Sequence, residues 1–433
     1  MNLTLIVAVI AVCYVSLLFI LAWGAERWFS KINQKAQVWI YGLSLAVYCS
    51  SWSFLGTVGQ SANDLWSFLP IFIGPILVFT LGFGMLRKMV VVSKAQNITS
   101  VADFIAARYG KSQLLAALVT LIALFGIMPY IALQLKAMVF SLNLFQPADN
   151  PLSPVAVPLL ITMLLAIFAI LFGTRKLDAT EHNPGMMVAI AFISVGAVIS
   201  FGVFDGFGDI WQQASDKALI QNSHIRLESF LPELFVGMAA FLCMPRQFHV
   251  MVVECGGEHI LRKSRWIFPI YLVLFGLFVA PLALAGKVIL GDSVSADTYV
   301  INLPLALDQP VLAVVALLGS LSAATGMVIV AVVTISVMVS NEWLVPFLLR
   351  TGQIREKNFS QFSKLLLNVR RLSIVVILGF GYLSYLLFTD RDSLSHLGMM
   401  SFGAFSQLAP ALVGGLYWKH GNRAGVYLGL AVG

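Results

Sequence analysis

Residues 48–59 read YCSSWSFLGTVG. Three serines, a tryptophan and two glycines stand inside a run otherwise apolar enough to cross a membrane. Of the chain's 433 residues, 59% are hydrophobic and 11% charged, whereas a soluble domain carries about a quarter charged residues. The mean hydropathy is +0.90. This is the composition of a polytopic all-α membrane protein. A hydrocarbon core of about 30 Å takes about 20 apolar residues in a helix. Such runs recur at 3–23, 38–55, 68–86, 114–144, 155–172, 186–201, 231–243, 266–289, 311–339, 372–388 and 397–418. A twelfth opens at Ala424 and is cut short at Gly433, so a continuation is expected.

The first run has no basic residue before it and carries Arg27, Lys31 and Lys35 after it, the pattern of a retained helix rather than a cleaved signal. With its N-terminus outside, every second connection is cytoplasmic, and those connections should gather the positive charge. Of the 27 Lys and Arg residues, Lys217, Arg226 and Arg391 fall in external loops and Lys136 and Lys287 within spans; the others lie in or beside cytoplasmic loops. The net charge of +7 is therefore explained by topology, and nothing supports a nucleic-acid partner. The expected location is the inner membrane of a bacterial cell. The four cysteines, Cys13, Cys49, Cys243 and Cys255, lie in spans or at a cytoplasmic end, so no disulfide framework is implied.

The order of helices suggests two five-helix units of opposite direction, residues 36–204 and 230–418, with 3–24 as an extra N-terminal helix and 424–433 as the start of a further one. Secondary transporters built on inverted repeats place their sites where the first helix of each repeat is broken. Breaks are expected in both: Ser50, Ser51, Ser53, Gly56 and Gly59 crowd the second span, and Pro232, Gly237 and Pro245 punctuate the seventh. Small residues also let membrane helices pack closely. The paired location favours the site, since non-helical backbone at membrane depth persists only where protein or a water-filled cavity satisfies it.

The spacing of Ala46, Ser50, Trp52, Gly56 and Gly59 resembles the first core helix of the solute:sodium symporter family. Longer phrases carry the resemblance further: TSVADFIAARYGKS from Thr99, MPYIALQLKA from Met128, GTRKLDATEHNPG from Gly173, MPRQFHVMVVE from Met244, LSAATGMVIV from Leu321 and FSQLAPALVGGLYW from Phe405. Together they are similar to the symporter-type membrane domain of CbrA-type bacterial sensor histidine kinases, over essentially the whole chain. The resemblance implies a thirteen-helix domain with the 5+5 inverted-repeat core of the leucine transporter (LeuT-like), followed by cytoplasmic kinase modules in cis that signal to a response regulator.

It also implies site residues. The coupling ion would sit between backbone carbonyls of Ala46 to Cys49, where a half-helix ends with its negative dipole, and hydroxyls of the ninth span, Ser322 and Thr325. The family's adjacent hydroxyl pair falls near residues 325–327, where Thr325 is the one hydroxyl, and Tyr48 stands where proline symporters carry an aspartate. The ion is then sodium or a proton, or there is no coupling. A small organic solute, with an amino acid favoured, would lie against Ser50, Trp52, Ser53 and Gly56, faced by Phe235, Gly237 and Met238 and by Gln407 from the eleventh span. Pro245, Arg246 and Gly59 are the gate and hinge residues. No cofactor is expected beyond the ion, and no metal beyond sodium.

Two charged positions have competing readings. Lys136, deep in the fourth span, is either functional or snorkels to the outer interface. Arg246 either forms an inner gate with Asp178 or Glu181, or satisfies a helix C-terminus. Asp103 and Arg108 are expected to pin a short amphipathic stretch at the interface. His182, His249 and His259 show no metal-ligand spacing. Gly110-Lys111-Ser112 resembles the tail of a phosphate loop, but Ile105 occupies the position of its first glycine. The chain is not expected to be an enzyme. Two function classes remain: a secondary transporter that symports its solute, or a receptor that keeps the site and converts occupancy into a helix movement read by a kinase.

Overall fold

A computed structural model describes residues 13, 14, 16, 20, 34–147, 152–173, 184–220, 224–351, 359–388 and 393–433. Most of the first predicted span lies outside the described residues, as do Asp178, Glu181, His182 and Arg391.

The described chain is helical throughout and multi-pass. Among the described residues, six helices are long and apolar enough to cross a membrane, and three bent pairs would each make one further span. In chain order they are α1 (Lys35–Tyr48) with α2 (Trp52–Asn63), α3 (Leu69–Thr80) with α4 (Phe83–Gln96), the short, mostly buried α5 (Val101–Arg108), α6 (Gln113–Asn143), the shorter α7 (Ala156–Leu171), and α8 (Gly185–Val203). After α9 (Phe207–Asp216) come α10 (Leu227–Cys243) with α11 (Pro245–Val253), α12 (Glu258–Ile289), the short α13 (Tyr299–Ala306), α14 (Pro310–Arg350), α15 (Gln361–Phe388), α16 (Leu394–Tyr417) and α17 (Arg423–Val432).

Both expected breaks are present. The α1/α2 pair bends by 69° and the α10/α11 pair by 58°. The second has a local cause: Pro245 opens α11, its ring disfavours helical backbone at the preceding residue, and Met244 is extended at φ −61°, ψ 122°. No proline marks the first break. Cys49 is extended at φ −73°, ψ 110°, and the Ser50 hydroxyl accepts the Trp52 N–H at 3.3 Å, a side-chain cap that competes with continuation of the helix. Each second half carries a five-residue π-helical turn, Trp52–Gly56 and His249–Val253. A third bend of 69°, between α3 and α4, breaks the run expected to be continuous over 68–86. Gly82 stands there, where a Cβ would meet the Val78 carbonyl oxygen at 2.8 Å.

Small residues set the helix spacing. A side chain on Gly237 would lie 3.3 Å from the Pro70 carbonyl, and one on Gly74 3.0 Å from the Met238 nitrogen; the backbones of α10 and α3 therefore touch, as small residues permit. Gly319 lets the buried α14 meet Ala191 of α8 and Phe54 of α2. α5 opens on reciprocal side-chain bonds: the Ser100 hydroxyl accepts the Asp103 N–H, and the Asp103 carboxylate accepts the Thr99 N–H. Arg108 donates to the carbonyls of Gly415, in the last turn of α16, and of Trp418 and Lys419 just beyond it.

One loop closes the end of the bundle where α2 finishes. Asp297, between α12 and α13, lies so close to Gly59 that any side chain there would collide with the carboxylate. Asp297 also accepts the Leu394 N–H at 3.3 Å. Burial pushes its carboxyl up from the ordinary 3.8 to about 6, against the opposing pull of the Leu394 N–H and of the Lys136 ammonium. Lys136 thus has an electrostatic partner in this loop.

Because the folded carboxyl holds its proton more tightly than the unfolded one, the folded state gains stability as pH falls through about 6 toward 3.8. The gain is at most about 1.4 kcal/mol per pH unit. The melting temperature of wild type should rise over that window relative to Asp297→Asn, and parallel curves for the two would contradict the assignment. Gly319→Ala should lower the melting temperature by overpacking, at about 1–3 kcal/mol, while Gly379→Ala, where a Cβ meets nothing within 4 Å, should not.

Candidate functional site

The two breaks meet in the interior. Arg246, the second residue of α11, is fully buried. Its Nη1 donates to the carbonyl of Val47 in the last turn of α1, its Nη2 donates to the Tyr130 hydroxyl at 3.2 Å, and its Nε reaches the Met244 sulfur at 3.0 Å. The guanidinium lies 5.1 Å from the centroid of the Tyr130 ring, within cation–π range. Tyr130 shares a 2.9 Å hydrogen bond with Ser50. One side chain of α6 therefore joins the hydroxyl at the first break to the cation at the second.

A second polar chain runs from the break into the core of α14. The Gln134 amide oxygen accepts the Ser51 N–H at 3.1 Å. The Ser51 hydroxyl donates to the Ser320 carbonyl at 3.3 Å, and the Ser320 and Ser141 hydroxyls lie 2.8 Å apart. All four residues are buried. Two N–H groups beside this network, Trp52 Nε1 and Gln134 Nε2, are buried without a partner among the described residues. Buried donors are nearly always satisfied, so the pair points to a polar guest. Buried orphans also include Gln247 Oε1 and Ser401 Oγ.

Trp52 is held by aromatic edges and by missing side chains. Its ring meets Phe402 edge-on at 4.7 Å and Tyr130 at 6.5 Å. It fits because Gly398 presents no Cβ: one placed there would fall 2.5 Å from the indole. Gly56 clears the same ring one turn along, and a Cβ there would also meet Leu394 at 3.1 Å. Ser53 is buried, with a side-chain hydrogen bond to Cys49. Tyr48 donates to the Ile71 carbonyl at 2.6 Å and packs against Phe241 and Phe268. The Ala46 backbone lies against Gly185 at the start of α8. Ser322 and Thr325 are buried.

The structure brings Ser50, Trp52 and Arg246 together on Tyr130, with Gly56 clearing the Trp52 ring, Ser53 buried next to Trp52 in α2 and Pro245 immediately before Arg246. The other expected solute residues stand elsewhere. Phe235 is 64% exposed, Gly237 and Met238 pack on α3 at Pro70 and Gly74, and Gln407 is half-buried beside Gly433. Gly59 lies within α2, where its role is the close approach of Asp297 and not a hinge. The suggested acidic partners of Arg246, Asp178 and Glu181, lie outside the described residues; the Val47 carbonyl, in the stretch expected to hold the ion, takes the guanidinium. Also passed over were Tyr130, Gln134 and Ser141. Their spacing of four and seven puts them on one face of an otherwise apolar helix, and polar groups inside a membrane face the bundle interior. His249 faces Glu254 at 3.3 Å, and among the described residues no cluster of His, Cys, Asp or Glu could hold a metal.

No family model matches the chain. An uncharacterized symporter of Bacillus subtilis (strain 168), YhjB, is 22% identical over 419 residues, covering 94% of this chain and 81% of that protein. A Na+-coupled sialic acid symporter, solved substrate-bound and outward-open, aligns with a TM-score of 0.75 over 99% of this chain and 89% of its own, at 15% identity. The Eremococcus coleocola manganese transporter aligns at a TM-score of 0.48 and 13% identity, over 92% of this chain and 91% of its own. The chain thus shares, along nearly its whole length, the helical fold of the sialic acid symporter.

Proposed function

We propose that the chain is a secondary-transporter membrane domain that binds a small organic solute at the two helix breaks and carries it together with sodium or a proton. The observation that carries the reading is the meeting of the breaks: Arg246 from one reaches Val47 of the other, and the orphan donors Trp52 Nε1 and Gln134 Nε2 lie beside them. A fold shared with a symporter and a symporter relative agree with it. The core is read as two inverted five-helix units, with the N-terminus outside and the membrane bacterial and inner.

An amino acid is the favoured solute. The buried Trp52 Nε1 and Gln134 Nε2 donors, which have no partner among the described residues, would take its carboxylate. A solute shifts the two states of the domain only by its difference in affinity for them, so the movement that carries it can also report it. The resemblance to sensor kinases supports passing that movement to cytoplasmic kinase modules and a response regulator.

Purified protein in liposomes under an imposed ion gradient should take up a labelled amino acid from a screened set. Saturable binding with no gradient-driven uptake would instead establish a receptor. Trp52→Phe keeps most of the ring and deletes the N–H; loss of one hydrogen bond is worth about 0.5–1.5 kcal/mol. It should weaken solute binding about 2- to 13-fold with little change in melting temperature, and unchanged binding would remove Trp52 from the site.

A further inference from the structure

The end of α1 presents a cluster of carbonyl oxygens to the protein interior, at the negative end of a helix dipole, where a cation is stabilised. Three of these oxygens already face a donor. The Ala46 carbonyl accepts the Cys49 N–H at 2.9 Å, the Val47 carbonyl accepts Arg246 Nη1, and the Gln247 amide nitrogen lies 3.5 Å from the Leu45 carbonyl. Across from them, α14 packs on the last turn of α1. Its two candidate hydroxyls, Ser322 and Thr325, are both buried. Tyr48 directs its own hydroxyl away, to Ile71.

We propose that Arg246 is a tethered cation that takes the place of a free sodium ion at the broken helix. A guanidinium is charged at any pH a cell meets and donates through a fixed planar fork. Buried here, it supplies the end of α1 with permanent positive charge and holds α11 to α1 through one oxygen. A hard ion requires several oxygen ligands at once. A sodium ion sharing the Val47 oxygen would sit beside a full positive charge in a medium that screens it poorly. The residues present therefore do not fit sodium at this break. Charge at the break is fixed in the chain, and any ion coupled to the solute binds elsewhere or is a proton.

The inference deepens the reading above and rests on its placing of an ion position at the α1 break. Its test reads cation binding and not uptake, so a domain that binds solute without carrying it still returns an answer. The probes are sodium chloride against choline chloride at equal ionic strength, with melting temperature of the purified full chain as the readout, because any ligand of the native state raises it. Sodium should raise the wild-type melting temperature no more than it raises that of Thr325→Ala, and equal melting in both salts is the simplest such outcome. Arg246→Ala should melt lower and recover in part with added methylguanidinium, which refills the vacated position, while alkyl ammonium of similar size restores less. If Arg246→Ala does not fold, Arg246→Lys, which keeps the charge and loses the fork, should melt between the two and still show no sodium effect. A saturable rise of the wild-type melting temperature with sodium that Thr325→Ala abolishes would overturn the proposal. So would an Arg246→Ala protein as stable as wild type and indifferent to methylguanidinium.

Discussion

One buried arginine ties this structure together. A guanidinium taken out of water is costly unless every side of it finds a partner, and the partners Arg246 finds lie on three elements. They are the Val47 carbonyl at the end of α1, the Tyr130 hydroxyl and ring on α6, and the Met244 sulfur beside it. Two helix breaks would otherwise leave freed backbone groups in a region without water. By lying where they meet, Arg246 makes each break the complement of the other. Tyr130 extends the bond to Ser50, so the same cation steadies the residue that caps the first restart.

Around this joint the helices come close because side chains are missing at the right places. Gly398 clears the Trp52 ring, Gly319 clears Phe54, and Gly237 with Gly74 brings α10 onto α3. The first of these contacts fixes where Trp52 stands, and Trp52 and Gln134 each keep a buried donor without an acceptor among the described residues. At the far end of α2, Asp297 makes a similar close approach to Gly59 and receives the Leu394 N–H. The loop that carries it thereby bridges the first broken helix and α16. A movement opening the site at that end must disturb Asp297, just as one opening it at the other must part Arg246 from Val47.

Much of this was legible in the sequence. The spans follow from length and hydropathy, the second break from the effect of Pro245 on Met244, and the first from serines and glycines where a membrane helix needs neither. What failed was helix phase. A span apolar on every side gives no sign of which face is core, so Phe235, Gly237 and Met238 were assigned to the site from proximity to a break alone, while α10 turns them to the surface and to α3. The bend at Gly82 was passed over because a single glycine in an apolar run is usually tolerated. Tyr130, Gln134 and Ser141 did carry a signal, a polar stripe at helical spacing, which went unused. The pairing of Arg246 with Val47, 199 residues apart, has no local signature, because a backbone carbonyl has no letter of its own.

Amide hydrogen exchange on purified wild type and Arg246→Lys tests directly whether this joint holds the breaks together. The account predicts faster exchange in the variant confined to the peptides covering 45–56 and 243–253, the two breaks responding together. Unchanged exchange at both, or loosening at 243–253 alone with 45–56 as protected as before, would contradict it.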